Sequence, residues 1–224
     1  RRGPSAYNPI WEVRGVNVGT IDNATLILTS VTGHLMELEF EGIAKSWQAI
    51  DPVKLLESNS TVTKKAIAKG KEKLGEQLSN EIRNCASLFL WLDCDLEGEN
   101  IAYEVIDVCK SVKPNINLLR AKFSALTHRD VTRACRNPAR PDSNQNDAVN
   151  ARQEIDLRIG AAFTRLFTLR YKDKYEEIQE VISYGPCQFP TLGFVVDRYL
   201  KIEDFISEDF WGINLEYDTD DKEL

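Results

Sequence analysis

Apolar and polar residues alternate over three short segments near the N-terminus, a pattern typical of strands. These predicted strands lie at residues 11–18, 25–31 and 35–40, with an asparagine-containing turn near Asp22 and Asn23. Asp51 followed by Pro52 is typical of a capped helix start and predicts a short helix after it. The polar stretch at residues 58–69 predicts a loop.

In the middle of the chain the period changes to that of an amphipathic helix. The apolar positions that share this helical face are Leu74, Leu78, Ile82 and Cys85. A run of apolar residues then predicts a buried strand at 86–92, followed by a helix at about 97–112 and a second strand at 117–123. Strand, helix and strand in this order are typical of a βαβ unit with parallel strands.

The last third of the chain is predicted to be mainly helical. Thr127 and Asp130 have the spacing of a capped helix start. Residues 137–146 are rich in proline and polar side chains and indicate a linker, so a domain boundary is expected near residues 125 to 145. Two more helices are predicted at about 147–170 and 191–200, and alternating apolar residues predict a final strand at Ile213, Leu215 and Tyr217.

Three carboxylates stand where the apolar strand ends. Asp93 and Asp95 project to one side of an extended chain, and Glu97 opens the following helix, where its charge suits the helix N-terminus. Ligands of open parallel sheets bind outside the carboxyl ends of the strands, and an all-oxygen set is what Mg2+ takes. The pattern indicates a metal site, with solvated acids that compensate the helix dipole as the alternative.

Two other positions are ambiguous from the residues alone. Arg152 and Asp156 lie one helical turn apart at the margin of the apolar arc, and the simplest interpretation is a surface ion pair worth a few tenths of a kcal/mol. His34 follows Gly33 after a strand, and a single histidine is more often a hydrogen-bonded structural residue than a catalyst.

The net charge of −7 argues at first against a nucleic-acid protein, but the charge is unevenly distributed. Residues 201–224 alone supply −7, whereas residues 120–174 contain twelve Lys or Arg against six acids. A basic middle beside an acidic metal centre suits a polyanion held near Mg2+, with a solvated surface as the alternative. No apolar run is long enough to span a membrane, and the five scattered cysteines suggest a reducing compartment. Without an initiator Met, the chain is interpreted as an internal piece of a longer protein.

Several segments carry motifs that stand in the same order as in a known enzyme family. They are Thr-Ser-Val-Thr-Gly-His at 29–34, Asp-Cys-Asp-Leu-Glu-Gly-Glu-Asn-Ile at 93–101, Arg-Ala-Lys-Phe-Ser at 120–124, and the longer runs at 147–165 and 183–196. The acidic run resembles the motif of the Toprim domain. Together the segments resemble the type IA DNA topoisomerases, especially the eukaryotic topoisomerase III branch.

The resemblance implies a fold class and a division into domains. It implies an α/β fold, with a Rossmann-like, mostly parallel Toprim domain at residues 1–126 that lacks its first strand, followed by a mainly helical DNA-binding domain at 127–200. Residues 201–224 would begin the gate domain. None of the seven tyrosines has the family's Tyr-x-Arg-Thr setting, so the catalytic tyrosine is expected outside this chain and the fragment alone is expected to be inactive.

The resemblance also implies roles for individual residues. It implies Mg2+-dependent nicking of one DNA strand, passage of another strand, and resealing. The expected metal ligands are Asp93, Asp95 and Glu97, and the expected catalytic residues are Arg152, Asp156 and His34. The expected DNA contacts are Arg158, Arg165, Ser183 and Gln188.

Partners and location follow from the resemblance alone. Single-stranded DNA, a RecQ-type helicase and an OB-fold accessory protein are the expected partners, and the nucleus is the expected location. Leu96, Ala125 and Pro186 depart from the family pattern, where Arg, Glu and Ser or Arg are usual. The alternatives are another Toprim enzyme, such as a primase or nuclease, and a non-catalytic module that binds DNA or a protein partner.

Overall fold

The computed structural model describes residues 3, 6–19, 21–57, 59, 61–175 and 179–216. The chain divides into two compact units, Arg1–Gly185 and Pro186–Leu224. The strands of the first unit are β1 Trp11–Val18, β2 Ile21–Leu28, β3 Met36–Phe40, β4 Thr63–Ile67, β5 Ser87–Leu90 and β6 Asn117–Arg120. Its α-helices are α1 Glu72–Ile82, α2 Leu96–Val112, α3 His128–Arg136 and α4 Ser143–Tyr171, and two 3-10 turns lie at Gly42–Lys45 and Pro52–Leu56.

The first two strands form an antiparallel ribbon whose turn lies earlier than predicted. Strand β2 already begins at Ile21, after Gly19 with its φ of 58°, so the turn expected near Asp22 and Asn23 was wrong. Asn23 lies inside the strand with a φ of 54°, and its backbone N–H donates to the Asn17 side chain at 3.0 Å. The pairing register shifts here, because asparagine tolerates the left-handed conformation of an irregular strand position.

Strands β3 and β4 form a second antiparallel pair, although a loop was predicted at residues 58–69. Met36 pairs with Ile67, and Phe40 pairs with Thr63. The two lysines in β4 concealed the strand, because their polarity masks the alternation of the segment. Lys65 donates to the Asn150 side chain and forms an ion pair with Glu104. These partners allow a strand that contains lysines to pack against the rest of the protein.

The predicted βαβ unit is confirmed. Strands β5 and β6 are parallel neighbours, joined by α2. Both strands end earlier than expected, at Leu90 and Arg120. The main core lies between this unit and α1, and it consists of Leu35, Leu74, Leu78, Ile82, Leu90, Ala102, Val105, Ile106, Val108, Cys109 and Ile116.

The long helix α4 crosses the first unit and joins its parts. It begins at Ser143, because the Asp142 side chain accepts the Asn144 N–H at 3.0 Å and caps the helix earlier than predicted. A smaller core joins α4 to the segment around the two 3-10 turns, through Phe40, Ala44, Leu55 and Ala162. The predicted caps at Asp51 and Thr127 are present as well.

The second unit contains the helix α5, Gln188–Glu203, and no residue of this helix is buried. Residues 205–216 form neither helix nor strand, so the strand predicted at Ile213 and Leu215 was wrong. The third residue of that prediction, Tyr217, lies outside the described residues. Domain boundaries at residues 126 and 200 remain a prediction. Within the described part of the chain, no helix is long and apolar enough to cross a membrane.

Candidate active site

The acidic motif forms a tight turn between β5 and α2. Asp95 caps α2, because its Oδ1 accepts the Gly98 N–H at 2.6 Å. Gly98 is required here, since a Cβ at this position would lie 2.1 Å from the carbonyl oxygen of Asp93. Asp93 and Asp95 are both exposed. The turn therefore presents two carboxylates to solvent just beyond the parallel strands.

A buried ion pair holds this turn in place. Arg120 and Glu99 are both 0% exposed, and Arg120 Nε lies 3.0 Å from Glu99 Oε2. The same guanidinium donates to the carbonyl of Leu92 at 2.9 Å and to the carbonyl of Asp93 at 2.6 Å. Because the guanidinium fork is rigid, it fixes the backbone that carries the exposed acids.

Glu99 also connects the acidic turn to α4. Its Oε1 accepts the backbone N–H of Asp142, the residue that caps α4, at 2.6 Å, and its Oε2 accepts Lys122 Nζ at 3.0 Å. Burial alone would raise the pKa of Glu99, but the hydrogen bonds from Asp142, Arg120 and Lys122 outweigh burial and place that pKa below its usual range. The ionised carboxylate thus sets where α4 starts relative to α2.

Two of the predicted site residues, Arg152 and His34, contact a third, Glu97. Arg152 Nη2 on α4 lies 2.6 Å from Glu97 Oε1, and His34 Nε2 lies 3.0 Å from Glu97 Oε2. Asp156 is a weaker partner of Arg152, at 3.7 Å from Nη1. Arg152 is 54% exposed on its side chain, so its remaining N–H groups are open to a substrate anion. The surface ion pair of the sequence interpretation exists, but Glu97 is the closer partner.

The fit of these acids to a metal ion is partial. Within the described ranges, no three His, Cys, Asp or Glu side chains are grouped so that they could hold a metal ion. Asp93 and Asp95 are exposed oxygen donors and suit a hard cation such as Mg2+. Both oxygens of Glu97 already face cationic or polar nitrogen atoms. The donor chemistry of the two aspartates suits Mg2+, and the roles of Asp93, Asp95 and Glu97 as metal ligands stay predictions.

Comparison with known proteins shows the family to which the chain belongs. Residues 15–126 match the Toprim domain family, and residues 140–224 match the DNA topoisomerase family. The chain belongs to the DNA topoisomerases that carry a Toprim domain. Its α/β fold class is confirmed, since it resembles the structure of full-length topoisomerase I from Thermotoga maritima with a TM-score of 0.52 and 27% identity, over 78% of this chain and 26% of that one.

The most similar relatives include DNA topoisomerase 3-alpha from several organisms. The Drosophila melanogaster protein is 44% identical over 223 residues, which are 99% of this chain and 17% of that protein. The Homo sapiens protein is also 44% identical over 223 residues, or 22% of its length. The chain therefore spans about a fifth of the length of these relatives.

Arg158 and Arg165, two arginines expected to contact DNA, are buried in the protein instead. Arg158 is 8% exposed and donates to the carbonyl of Leu55 at 2.9 Å and to Thr61 Oγ1 at 2.7 Å. Arg165 is 6% exposed and donates to the carbonyl of Ala44 at 2.8 Å. Their guanidiniums bind protein groups that hold the 3-10 turns, which corrects the expectation that these residues track phosphates.

The sequence analysis did not single out the arginines of α3. Arg129, Arg133 and Arg136 are all exposed, and their spacing of four and three residues places them on one helical face. We call them the α3 arginines. Asp130 forms an ion pair with Arg133. The helical spacing of these arginines is visible in the sequence, but they were counted only as part of the total charge of residues 120–174.

The remaining predicted positions are less informative. Ser183 is exposed in a segment without helix or strand, and Gln188 begins α5 in the second unit. Leu96 is the first residue of α2 and is 52% exposed, so its departure from the family's Arg changes the surface beside the acidic turn and not the core. All five cysteines are free.

The ion pair between Glu99 and Arg120 generates a stability prediction. Replacing Glu99 with Gln leaves the buried guanidinium of Arg120 without a counter-charge, so we expect the free energy of unfolding of the Toprim segment to fall by about 3–5 kcal/mol. Urea denaturation followed by circular dichroism measures this change. Glu39→Gln, which breaks the exposed pair with Lys45, is the matched control and should cost about 1 kcal/mol or less.

The same variant tests the pKa of Glu99. Because that pKa is lowered on folding, the carboxylate stabilises the fold fully above the ordinary glutamate value of 4.5 and loses this contribution as the pH falls through the folded value. The stability difference between the wild type and Glu99→Gln should therefore shrink below pH 4.5. A difference that stays constant from neutral pH down to strong acid would contradict the assignment.

Proposed function

We propose that this chain is the Toprim part and the following helical part of a type IA DNA topoisomerase, which cuts one DNA strand, passes another through the gap and reseals the cut with Mg2+. The observation that carries the proposal is that His34 and Arg152, from two separate segments, both lie within 3.0 Å of the Glu97 carboxylate. The family relationship supports the reaction class.

Arg152 is proposed to bind the scissile phosphate. Its guanidinium is held at one edge by Glu97, while more than half of the side chain is open to solvent. A planar fork with further N–H donors suits bidentate contact with phosphate oxygens better than a lysine. Asp156, at 3.7 Å, adds negative charge beside the guanidinium and helps to orient it.

The metal ion is proposed to bind at Asp93 and Asp95. Mg2+ would supply positive charge to stabilise negative charge on the reacting phosphate oxygens. The two aspartates come from a turn whose backbone is held by Arg120, which donates to the carbonyl of Asp93. Glu97, in the same motif, contacts Arg152 and His34.

Single-stranded DNA is proposed to approach over exposed arginines. The α3 arginines carry three positive charges on one exposed face, and they replace Arg158 and Arg165 as the candidates for backbone contact. Ser183 and Gln188 stay candidate contacts. By the same family relationship, a RecQ-type helicase, an OB-fold accessory protein and nuclear location are proposed for the full-length protein.

Substitution of Arg152 tests the proposed chemistry in the full-length protein that carries this segment. We expect Arg152→Ala to abolish covalent attachment of the protein to a single-stranded oligonucleotide, because the phosphate loses its positioning group. Gel analysis of the covalent adduct measures this loss. Melting temperature and single-strand affinity should stay near wild type, since a solvent-exposed ion pair contributes only a few tenths of a kcal/mol.

Arg170→Ala is the matched control for that experiment. Arg170 is an exposed arginine on the last turn of the same helix, so the change removes the same charge from α4 without touching Glu97. Adduct formation should be normal in this control. If Arg152→Ala cleaves as well as Arg170→Ala does, Arg152 has no role in the chemistry.

Calorimetry tests the metal proposal on the isolated chain. Asp93→Asn with Asp95→Asn should eliminate the heat of Mg2+ binding, because the amides lack the charge that a hard cation requires. Helix α2 should survive, since asparagine caps a helix as well as aspartate does. Asp107→Asn, an exposed acid on α2, is the control and should bind Mg2+ like the wild type. Equal heats in the double variant and the wild type would disprove the site.

Salt dependence tests the α3 arginines. The combined change of Arg129, Arg133 and Arg136 to Gln should reduce the slope of log affinity against log salt for single-stranded DNA by about 0.7 per lost contact, or about 2 in total. Fluorescence anisotropy of a labelled oligonucleotide measures the slope. Changing Lys73, Arg83 and Lys110 to Gln is the control, because it removes the same number of positive charges from α1, its C-terminal turn and α2. The salt dependence of this control should stay steeper than that of the α3 variant. Equal slopes in the two triple variants would mean that α3 does not contact the backbone.

A further inference from the structure

A second carboxylate of α2, Glu104, is buried behind His34 and takes no part in the site described above. Its side chain is 1% exposed. Glu104 lies seven residues after Glu97, about two helical turns further along the same face. His34 contacts both of these carboxylates, one with each ring nitrogen.

Four donors surround the carboxylate of Glu104. Oε1 lies 2.9 Å from Lys65 Nζ and 3.1 Å from His34 Nδ1. Oε2 accepts the backbone N–H groups of Leu35 at 2.7 Å and Met36 at 3.1 Å. A buried carboxylate is tolerated only when its oxygens are satisfied in this way. All four contacts come from the strands and the loop on one side of α2, so Glu104 is organised around the segment that carries His34.

These contacts decide how the imidazole is oriented. A carboxylate oxygen lies at hydrogen-bond distance from each ring nitrogen, and Glu104 Oε1 holds the Nδ1 edge of His34 at 3.1 Å. The opposite nitrogen, Nε2, is then directed at Glu97 Oε2, 3.0 Å away. The imidazole therefore has a carboxylate contact at each edge, and these two contacts define its orientation.

The backbone beside His34 is held from the other direction as well. Lys71 Nζ donates to the carbonyl of Thr32 at 2.5 Å and to the carbonyl of His34. Gly33, between them, has a φ of 64°, which favours glycine. Glu104 accepts the N–H groups of Leu35 and Met36, which follow His34, and Lys71 donates to the carbonyls of Thr32 and His34. The loop is thus fixed on both sides of the imidazole.

We propose that Glu104 is a positioning residue that fixes the orientation of His34 relative to Glu97. The catalytic meaning of this role rests on the proposed function, but the positioning itself does not. Lys65 supplies the counter-charge to Glu104 and also donates to Asn150 Oδ1 on α4 at 3.0 Å. Glu104 and Lys65 therefore connect His34 to the helix that carries Arg152.

Nitrogen NMR of the histidine rings in this chain tests the positioning directly. The chain has two histidines, and His128, exposed at the start of α3, serves as the internal reference. In the wild type we expect a His34 ring-nitrogen pattern distinct from that of His128, with a slowly exchanging ring proton. In Glu104→Gln we expect loss of that pattern and a shift towards the averaged pattern of His128. Asp107→Asn, one turn further along α2, should leave His34 unchanged.

The conservative variant Glu104→Asp separates positioning from packing. It keeps the charge but withdraws the oxygens by one methylene, so an intermediate His34 pattern is expected. An unchanged His34 spectrum in Glu104→Gln overturns the proposal. If neither variant folds, Glu104 is needed for folding and the assignment of a positioning role is also overturned.

A second measurement uses the full-length protein and links Glu104 to cleavage. Glu104→Gln is expected to reduce covalent adduct formation by the same factor as His34→Ala, and the double variant should show no further loss. Additive losses would mean that Glu104 does not act through His34. Absence of adduct in the wild type would remove the proposed function, while the NMR result would still decide the positioning role.

Discussion

The ion pair between Arg120 and Glu99 is the interaction on which the site depends. Two opposite charges that are 0% exposed would each carry a large desolvation cost, and the structure offsets that cost by giving each of them further hydrogen-bond partners. Those partners are the carbonyls of the acidic turn on one side and the N-terminus of α4 on the other. The pair therefore fixes two segments that are distant in sequence and adjacent in the site.

Helix α2 organises the site because its polar residues are buried on more than one side. Glu97 faces His34 and Arg152, Glu99 faces Arg120, and Glu104 faces the His34 loop. Between them, the fully buried Asn100 donates to Asn146 Oδ1 at 2.8 Å on α4. Burying a carboxylate is costly unless its oxygens are paired and hydrogen-bonded, so Glu99 and Glu104 are tolerated only when the segments that supply their partners are in place.

The sequence predicted the parts of the site that depend on local pattern. The βαβ order and the acids after an apolar strand indicated where carboxylates are gathered, and the spacing of Arg152 and Asp156 indicated their proximity. Contacts over long sequence separations were not predictable in this way. Arg158 binds a carbonyl 103 residues away, and Glu104 binds N–H groups 69 and 68 residues away. Strand β4 was missed because its two lysines made the segment look like a polar loop. The partners that hold Lys65 in place, Glu104 and Asn150, are distant in sequence.

The arginines of α4 show how one residue type is divided between structure and chemistry. Arg158 and Arg165 are seven residues apart, so they share a face of the helix, and both are buried over the Phe40 ring at 5.9 and 5.8 Å. Arg152 is six residues before Arg158 and therefore points elsewhere on the helix, towards Glu97. The two buried guanidiniums donate to protein groups and are shielded from solvent, whereas more than half of the Arg152 side chain is exposed. Burial, and not residue type or motif, determines which arginine of this helix is available to a phosphate.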